Sequence, residues 1–546
     1  MKMAERTDFG VLYGQKTTED ALLIYSSYED AKASPKKGDF IVLTPKNEDG
    51  QKFLTRVEAE IYDEDPIFRS QDKTLVAVHY ARIAERELSE RDKQKMFSYT
   101  YKVQMLGTFT DSGQAIEFTT AVRKLPVVSY HARHLSKREV DAIINKQDSN
   151  GAPIGQLCIG EEVHKGDILF DVQRLRERRT MVFAQSGFGK TNLVKVLLYH
   201  IIGDTSYGKL IFDLNGEYFL KGQDTLGLGN IDEQKMRDNV VVYSDKAIDA
   251  SYNGHFIFGG KVLINMHKHL SLGDILNFST GFSDVMKSFL LYLDEGISDF
   301  IPKINDYVND PKRLHHDYPD FFAQKKNKKG EEEEDISAKK TIAAIRKRVR
   351  HLIDEGKGLH SKESKLIEDI FKYLKQGKTV IVDLSLKDST DASIISTILV
   401  RKLFEHNKSE FTSNKPDAVV ETVIFVEEAQ NVLSDELVKT NANPFVRCAK
   451  EGRKFKLGMV AITQRPSAIS EEIRTQAENF FAFHMGNSDD IKALIKSNIH
   501  YDGVISTFLQ RETIPGNLYM VTSDRAFVVP IRVLEFEELV KNKVYK

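Results

Sequence analysis

The chain has 546 residues, of which 41% are hydrophobic and 29% charged, which is the composition of an ordinary globular protein. A chain of this length has room for about two to four domains. Its 78 lysine and arginine residues nearly balance 80 acidic residues, so there is no overall positive charge to attract nucleic acid, and any DNA contact must use a local basic surface. Two cysteines, Cys158 and Cys448, exclude a disulfide framework and a cysteine-rich zinc site.

The sequence predicts neither a signal peptide nor a membrane-spanning helix. Residues 1–10 lack the apolar core of a signal peptide. No window reaches the roughly 18 uncharged apolar residues that a membrane span needs. With so few cysteines, a reducing compartment fits, and we expect a cytoplasmic protein without membrane contact.

Residues 1–150 are predicted to form a β-rich, barrel-like domain. Short β-type runs recur there, and turn-forming residues separate them. The runs are 39–44, 56–62, 74–79, 99–106 and 115–120. A polar helix over 136–145 and a loop over 148–153 mark the expected end of this domain.

An apolar run over 180–184 is followed by a turn and a helix in the pattern of a phosphate-binding loop. Gly187 and Gly189 allow backbone N–H groups to face phosphate oxygens without Cβ clashes. Lys190 would bring positive charge to the β- and γ-phosphates, and the Thr191 hydroxyl would be a ligand of Mg²⁺. Ala184 stands where the usual GxxxxGK[ST] pattern has its first glycine.

The predicted cofactors are therefore ATP and Mg²⁺. The predicted nucleotide contacts form one short segment, whose members are Ser186, Gly187, Phe188, Gly189, Lys190, Thr191 and Asn192. The bare Gly-Lys-Thr tripeptide is common by chance, and the strand before it and the helix after it make the assignment specific.

Residues 151–546 are predicted to be a P-loop motor domain of the α/β class. Strands alternate with helices, which indicates a RecA-like, doubly wound parallel sheet with both faces covered. The expected strands are 180–184, 208–213, 239–243, 261–266, 378–384, 421–426, 457–463 and 480–484, with a hairpin over 517–533. A mostly helical insertion is expected at about 268–376, and a C-terminal hairpin and brace at about 515–546.

Two charged segments of the insertion have two interpretations each. The run 325–335 alternates a lysine block with an acidic block, and is either a solvated tip or a docking segment. The basic cluster 346–351 is either an exposed helix face or a nucleic-acid contact.

Acidic residues follow a second predicted strand, 421–426. In parallel sheets the site lies at the carboxyl ends of the strands, so Glu427 and Glu428 are expected beside the phosphate loop. A phosphoryl-transfer site needs a carboxylate for Mg²⁺ and a group that orients the attacking water. We assign Glu427 to Mg²⁺, through a ligated water, and Glu428 to the general base.

Further polar residues follow neighbouring strands. Gln464 ends the strand 457–463, in reach of a γ-phosphate, where an amide can both donate and accept hydrogen bonds. Asp213 and Glu217 follow the strand 208–213. They either orient water or cap the following turn.

Basic residues lie on and after the helix that connects the acidic pair to the glutamine strand. They are Arg447, Lys450, Arg453 and Lys454. A cation that stabilises γ-phosphate charge can come from a neighbouring subunit as an arginine finger. Arg453 is the first candidate and Arg447 the second, and the alternative is an ordinary basic helix end.

Taken together, these segments resemble the HerA-type ATPases of the HerA–FtsK superfamily. The resemblance covers about 155–540, and rests on the phosphate loop and on segments in the same order and approximate spacing. The segments are 212–218, 427–430, 451–455, 461–467 and 527–533. Glu427 replaces the aspartate that is usual in this motif.

The resemblance implies a hexameric ring with ATP between subunits and double-stranded DNA in a central pore. It also implies a partner enzyme, either a NurA-like nuclease or, in bacterial antiphage versions, a nuclease or sirtuin-like effector. The protein would then be an ATP-driven DNA translocase or helicase in DNA-end processing or antiphage defence. The alternative is an ATP-dependent scaffold that organises an effector, and a membrane-linked pump is disfavoured because no spanning segment exists.

Overall fold

The structure is a computed structural model in which a β-barrel precedes a large mixed sheet covered by helices. No helix among the described residues is long and apolar enough to cross a bilayer. The described residues are 8–16, 21–27, 35–46, 50–62, 98–145, 151–159, 162–220, 225–231, 233–249, 252, 254–277, 283–292, 303–304, 306–310, 313, 316–317, 325–326, 332–333, 336–354, 358–413, 416–440 and 443–542.

The N-terminal strands close into a barrel, as predicted. They are β1 Asp8–Lys16, β2 Ala21–Ser27, β3 Phe40–Thr44, β4 Lys52–Tyr62, β5 Ser98–Asp111, β6 Ile116–Thr119 and β7 His131–His134. The order β2-β1-β7-β3-β4-β5 closes because β5 also pairs with β2, and β6 adds to the far end of β5. Buried apolar side chains, among them Phe9, Phe53 and Tyr101, fill the interior. The predicted strand 74–79 lies outside the described residues.

A twelve-stranded mixed sheet forms the centre of the rest of the chain. Its strands are β8 Ala152–Ile159, β9 Glu162–Phe170, β10 Arg179–Phe183, β11 Gly208–Asp213, β12 Val240–Tyr243, β13 Ile257–Gly260, β16 Thr379–Asp383, β17 Thr422–Val426, β18 Leu457–Thr463, β19 Asn479–Ala482, β20 Asn517–Thr522 and β21 Val529–Val533, with a two-stranded ribbon of β14 Lys325–Lys326 and β15 Glu332–Glu333 outside it. The order is β13-β12-β16-β11-β17-β18-β10-β19-β20-β21-β8-β9. The strands from β13 to β19 run parallel, and those from β20 to β9 pair antiparallel. This confirms the predicted fold class.

Helices cover both faces of this sheet. They are α1 Lys137–Glu139, α2 Lys190–Ile201, α3 Gln234–Asn239, α4 Met266–His269, α5 Leu272–Asn277, α6 Asp284–Tyr292, α7 Ile336–Ile353, α8 Leu366–Lys375, α9 Ser389–Thr412, α10 Asp435–Thr440, α11 Pro444–Glu451, α12 Glu471–Arg474, α13 Ser488–Ser497, α14 Val504–Arg511 and α15 Phe536–Asn542. Alternate residues of β10 point to opposite faces. Met181 and Phe183 belong to the apolar cluster that includes α8, α9 and α11, and Val182 belongs to the one that includes α2 and α15.

One strand prediction in the helical region is wrong. The range 261–266 was expected to be a strand, but β13 ends at Gly260 and Ile264 makes only an isolated bridge to His360. Val262, Ile264 and Met266 are all buried, which gives the period of two that also marks a strand. The backbone then turns, because the Asn265 side chain accepts a hydrogen bond from the Lys268 N–H and starts α4.

The barrel contacts the large sheet through the turn that joins β20 to β21. Phe527 packs edge-on against Phe40 and Phe118, with ring centroids 5.9 and 6.0 Å apart. Arg56 stacks on Phe40 at 4.7 Å and donates a hydrogen bond to the Val528 carbonyl. One continuous apolar cluster therefore joins the barrel to the C-terminal hairpin.

Candidate nucleotide-binding site

Four adjacent parallel strands bring the predicted site residues to one edge of the sheet. The order is β11-β17-β18-β10, and in the register Phe183 lies beside Thr463 and Val426 beside Ala461. The segments that follow these strands therefore emerge side by side. This arrangement places the phosphate loop, the acidic pair and Gln464 together.

The loop between β10 and α2 adopts a backbone that depends on two glycines. Gly187 has a φ of 84° and Gly189 a φ of 103°, a region that other residues rarely adopt. A Cβ atom on Gly187 would meet open space, so the backbone conformation, and not crowding, requires glycine there. Ala184 is buried and has no positive φ, so this position does not need the glycine of the usual pattern.

Lys190 and Thr191 begin α2 and face the acidic residues. The Lys190 ammonium donates a hydrogen bond to the Ala184 carbonyl at 3.3 Å, and the Thr191 hydroxyl donates one to Glu217 at 2.8 Å. Burial lowers the pKa of Lys190. The negative charges of Glu428, Glu427 and Glu217 oppose this shift.

The other loop residues have distinct surroundings. The ring of Phe188 stacks on His484 with centroids 4.4 Å apart, and its carbonyl accepts a hydrogen bond from the Gly516 N–H. Ser186 is exposed. The Asn192 amide bonds the backbone of the C-terminal segment, namely the Leu534 carbonyl and the Phe536 N–H, each at 2.9 Å. Both polar groups of the Asn192 side chain thus bond to the C-terminal segment. The predicted contact of Asn192 with the nucleotide stays a prediction.

The Glu428 carboxylate is held by two amide groups. Gln464 donates to its Oε1 at 3.0 Å, and Gln430 donates to its Oε2 at 2.6 Å. Glu428 has a φ of 45°, which is unusual for a residue with a side chain. Backbone strain of this kind is maintained only where the surroundings fix the residue, and it recurs at functional sites.

Glu427 points to the other side of the turn, toward the segment after β11. Its carboxylate accepts hydrogen bonds from the Tyr218 hydroxyl at 2.8 Å and the Leu214 N–H at 3.3 Å. Burial, reinforced by the negative charges of Asp213 and Glu217, raises the pKa of Glu427 to about 8. The two adjacent glutamates therefore differ in environment, and their division of roles stays a prediction.

Asp213 is the cap of the turn that carries Glu217. It is fully buried and accepts hydrogen bonds from three backbone N–H groups, those of Gly216, Glu217 and Tyr218, at 2.7, 3.0 and 3.0 Å. Burial is the largest cause that raises its pKa to about 6. Of the two interpretations left open by the sequence, the hydrogen bonds favour the capping role for Asp213.

Replacing Asp213 by alanine is expected to destabilise the fold. Three backbone N–H groups, of which that of Tyr218 is buried, would lose their acceptor, which costs about 2–4 kcal/mol of unfolding free energy. Urea unfolding followed by circular dichroism should show the transition shifted to lower urea. Asp489→Ala is the matched control, since Asp489 is 71% exposed, and should shift it little. Equal midpoints for the two variants would contradict the capping role.

The candidate arginines lie away from the loop of their own chain. Arg453 belongs to the turn Gly452–Phe455 before β18, is 68% exposed, and lies 3.8 Å from Glu478. Since Gln464 follows the other end of β18, Arg453 and the phosphate loop occupy opposite edges of the sheet. Arg447 lies on α11 with its guanidinium 5.1 Å from the ring of Phe404. The structure thus brings neither arginine to the site within one chain.

Comparison with known families agrees with this arrangement. The sequence family described as "Helicase HerA, central domain" matches residues 152–403, a range that contains the phosphate loop. This match confirms the resemblance to HerA-type ATPases that the motifs indicate.

Two HerA relatives illustrate the extent of the similarity. The "DNA double-strand break repair helicase HerA" of Sulfurisphaera tokodaii is 24% identical over 376 residues, which cover 68% of this chain and 66% of that protein. The protein of the same name from Pyrococcus furiosus is 22% identical over 388 residues, which cover 64% of this chain and 63% of that protein. The aligned part of the chain thus spans just under two thirds of either relative. Among solved structures, the plasmid coupling protein TrwB matches with a TM-score of 0.43 at 12% identity, over 70% of this chain and 96% of that one.

The structure adds site residues to which the sequence motifs assign no role. They are Tyr218, which bonds Glu427, and Gln430 and Thr463, which bond each other beside Glu428. His484 supports the loop from β19 by its contact with Phe188. The pairs Tyr218–Glu427, Gln430–Thr463 and Phe188–His484 join residues that are distant in sequence, and only their positions just after strands at the same sheet edge could have indicated them.

Proposed function

We propose that this protein hydrolyses ATP and uses the energy to move along double-stranded DNA, as a translocase or helicase. The observation that carries the proposal is the Glu428 carboxylate, which two amides fix at the sheet edge that carries the phosphate loop. A carboxylate fixed in this way can orient and deprotonate a water molecule for attack on the γ-phosphate. The names of the HerA relatives support helicase action on DNA.

In this proposal the phosphate loop binds the nucleotide phosphates, and residues that follow the strands activate the attacking water and contact the γ-phosphate. Backbone N–H groups at Gly187 and Gly189 bind the phosphates, and Lys190 neutralises charge on the β- and γ-phosphates. Glu428 accepts the proton of the attacking water. Gln464, which already bonds Glu428, contacts the γ-phosphate through the rest of its amide.

The residues around Thr191 fit a magnesium ion. Mg²⁺ prefers oxygen ligands, and the Thr191 hydroxyl lies 2.8 Å from a Glu217 oxygen in a group of carboxylates that includes Glu427. A divalent cation there would offset the mutual repulsion that helps to raise the pKa of Glu427. We propose that Thr191 and Glu427 hold Mg²⁺, the latter through water, with Glu217 as a further candidate. When bound, the ion would neutralise phosphate charge.

A ring is proposed from the position of Arg453. Seven residues of β18 separate the two edges of the sheet, roughly 20 Å apart. Arg453 therefore reaches a phosphate only if the site belongs to another subunit, as an arginine finger does in ring-shaped motors. We propose a homo-oligomer, a hexamer by resemblance, with ATP between subunits. Arg447, engaged with Phe404, is the weaker candidate.

Mixing experiments test the role of Arg453. Arg453→Ala is expected to lower ATP turnover about 10³-fold, the lower part of the range for arginine fingers. Adding subunits with Lys190→Ala, which keep the arginine but not the phosphate loop, should restore part of the turnover. Lys454→Ala controls for the loss of a neighbouring positive charge and should retain activity. If mixing restores no turnover, the arginine does not act between subunits.

A partner enzyme completes the proposal. By resemblance, a NurA-like nuclease is the first candidate and a sirtuin-like or other defence effector the second, with DNA-end processing or antiphage defence as the process. The barrel offers a surface for such a partner, because β1, β2 and the segment before β7 expose apolar side chains. They are Val11, Tyr13, Tyr25, Val127 and Val128, exposed by 36–67%.

A triplex-displacement assay tests translocation. A motor that moves along duplex DNA should release a third strand in the presence of ATP and Mg²⁺, and Glu428→Gln should not. Release that requires no ATP, or its absence while ATP turnover is normal, would favour an ATP-dependent scaffold that organises an effector.

A further inference from the structure

A chain of hydrogen bonds reaches Glu428 from the neighbouring strand. The Arg465 N–H donates to the Thr463 hydroxyl oxygen at 3.0 Å. That hydroxyl donates to the Gln430 Oε1 at 2.5 Å, and the Gln430 amide nitrogen donates to Glu428 at 2.6 Å. Thr463 is the last residue of β18 and is 1% exposed, so a buried residue of the sheet anchors this series of hydrogen bonds.

The direction of each bond in this chain is determined. A hydroxyl has one proton, and the Arg465 N–H occupies an acceptor site of the Thr463 oxygen. The Glu428 carboxylate only accepts, so Gln430 must turn its NH₂ group toward Glu428. Its Oε1 then faces Thr463, which donates its hydroxyl proton to it.

Glu428 needs such support because its backbone is strained. A residue with a side chain in the left-handed region costs roughly 1–2 kcal/mol, and Glu428 has a φ of 45°. Gln464 also holds the carboxylate, but the proposed function gives Gln464 a contact with the γ-phosphate as well. The Gln430 amide bonds Glu428 through its nitrogen and Thr463 through its oxygen, and the proposed function gives it no contact with the nucleotide.

We propose that Gln430, oriented by Thr463, is a positioning residue for Glu428. This inference rests on the proposed hydrolysis of ATP with Glu428 as base. Gln430 holds the carboxylate in the orientation required for proton transfer, and small misplacements of a reacting group reduce rates strongly. Neither Gln430 nor Thr463 belongs to the phosphate loop, so their loss should slow the chemical step and leave ATP binding unchanged.

The test compares kcat and KM for ATP in Gln430→Met, Thr463→Val, Thr463→Ser and the double variant Gln430→Met/Thr463→Val. Methionine keeps the length of glutamine without its hydrogen bonds, and serine keeps the hydroxyl. We expect kcat to fall about 10- to 100-fold in Gln430→Met and Thr463→Val, with KM within about threefold of the unaltered protein. Thr463→Ser should have the kcat of the unaltered protein, because serine keeps the hydroxyl that bonds Gln430. The double variant should be no slower than the slower single one, because both changes break one chain.

The outcomes separate this inference from the proposed function. If the unaltered protein turns over ATP, Glu428→Gln does not, and Gln430→Met has normal kcat, the positioning role is wrong and the proposed function remains. Losses that multiply in the double variant, or a Thr463→Ser variant as slow as Thr463→Val, would also overturn the role. If Glu428→Gln retains full turnover, the proposed function itself fails. Far-ultraviolet circular dichroism of each variant establishes that it is folded, and Thr463→Ser supplies the test if a larger change unfolds the chain.

Discussion

Replacing Glu428 by glutamine is expected to reduce ATP turnover by a factor of about 10²–10⁴, the contribution of a general base, with ATP binding retained. Glutamine keeps the size of the side chain but has a single oxygen, so it can accept from only one of Gln430 and Gln464, which bond different oxygens of Glu428. It cannot accept the proton of the attacking water. Turnover measured by phosphate release, together with binding of a fluorescent ATP analogue, separates these two properties.

The neighbouring glutamate provides the matched comparison. Glu427→Gln should weaken the response to Mg²⁺, because Glu427 lies with Asp213 and Glu217, whereas Glu428→Gln should not. A magnesium titration of ATP turnover and binding distinguishes the two variants. If Glu427→Gln abolishes turnover with binding intact and Glu428→Gln does not, the two roles are reversed.

Replacing Lys190 by alanine is expected to remove ATP binding at ordinary nucleotide concentrations. The lysine is partly buried beside the loop, where a charge-assisted bond to phosphate contributes more than in water. Loss of about 2–4 kcal/mol corresponds to roughly 30- to 700-fold weaker binding. Isothermal titration with a non-hydrolysable ATP analogue measures this directly.

A lysine elsewhere controls for the lost charge. Lys492 on α13 is 74% exposed and pairs with Asp489, so Lys492→Ala should bind ATP as the unaltered protein does. Unchanged turnover in Lys190→Ala would overturn the assignment of the phosphate loop. Equal weakening in both variants would mean that net charge, and not the loop, controls binding.

The sequence predicts the site well where neighbouring parallel strands are involved. Each apolar run ends in a polar residue, and parallel strands place those ends together. Glu427, Glu428 and Gln464 were therefore placed correctly at the sheet edge without knowledge of the strand order. The assignment of individual roles to these residues stays a prediction.

Features that depend on distant partners were not predictable in this way. Gln430 and Tyr218 matter through Thr463 and Glu427, which lie 33 and 209 residues away. The hairpin of β8 and β9 was also missed, although its two strands are close in sequence. Its place in the large sheet depends on β21, near the end of the chain. Pairing at such separation leaves no local pattern.

The most direct test of the proposed DNA motor is ATP turnover by the purified protein, measured with and without duplex DNA and with Glu428→Gln alongside. We expect turnover that duplex DNA stimulates strongly and that the variant lacks. Turnover that is indifferent to DNA, in a protein whose Glu428→Gln variant is inactive, would contradict a DNA motor and leave an ATP-dependent assembly scaffold.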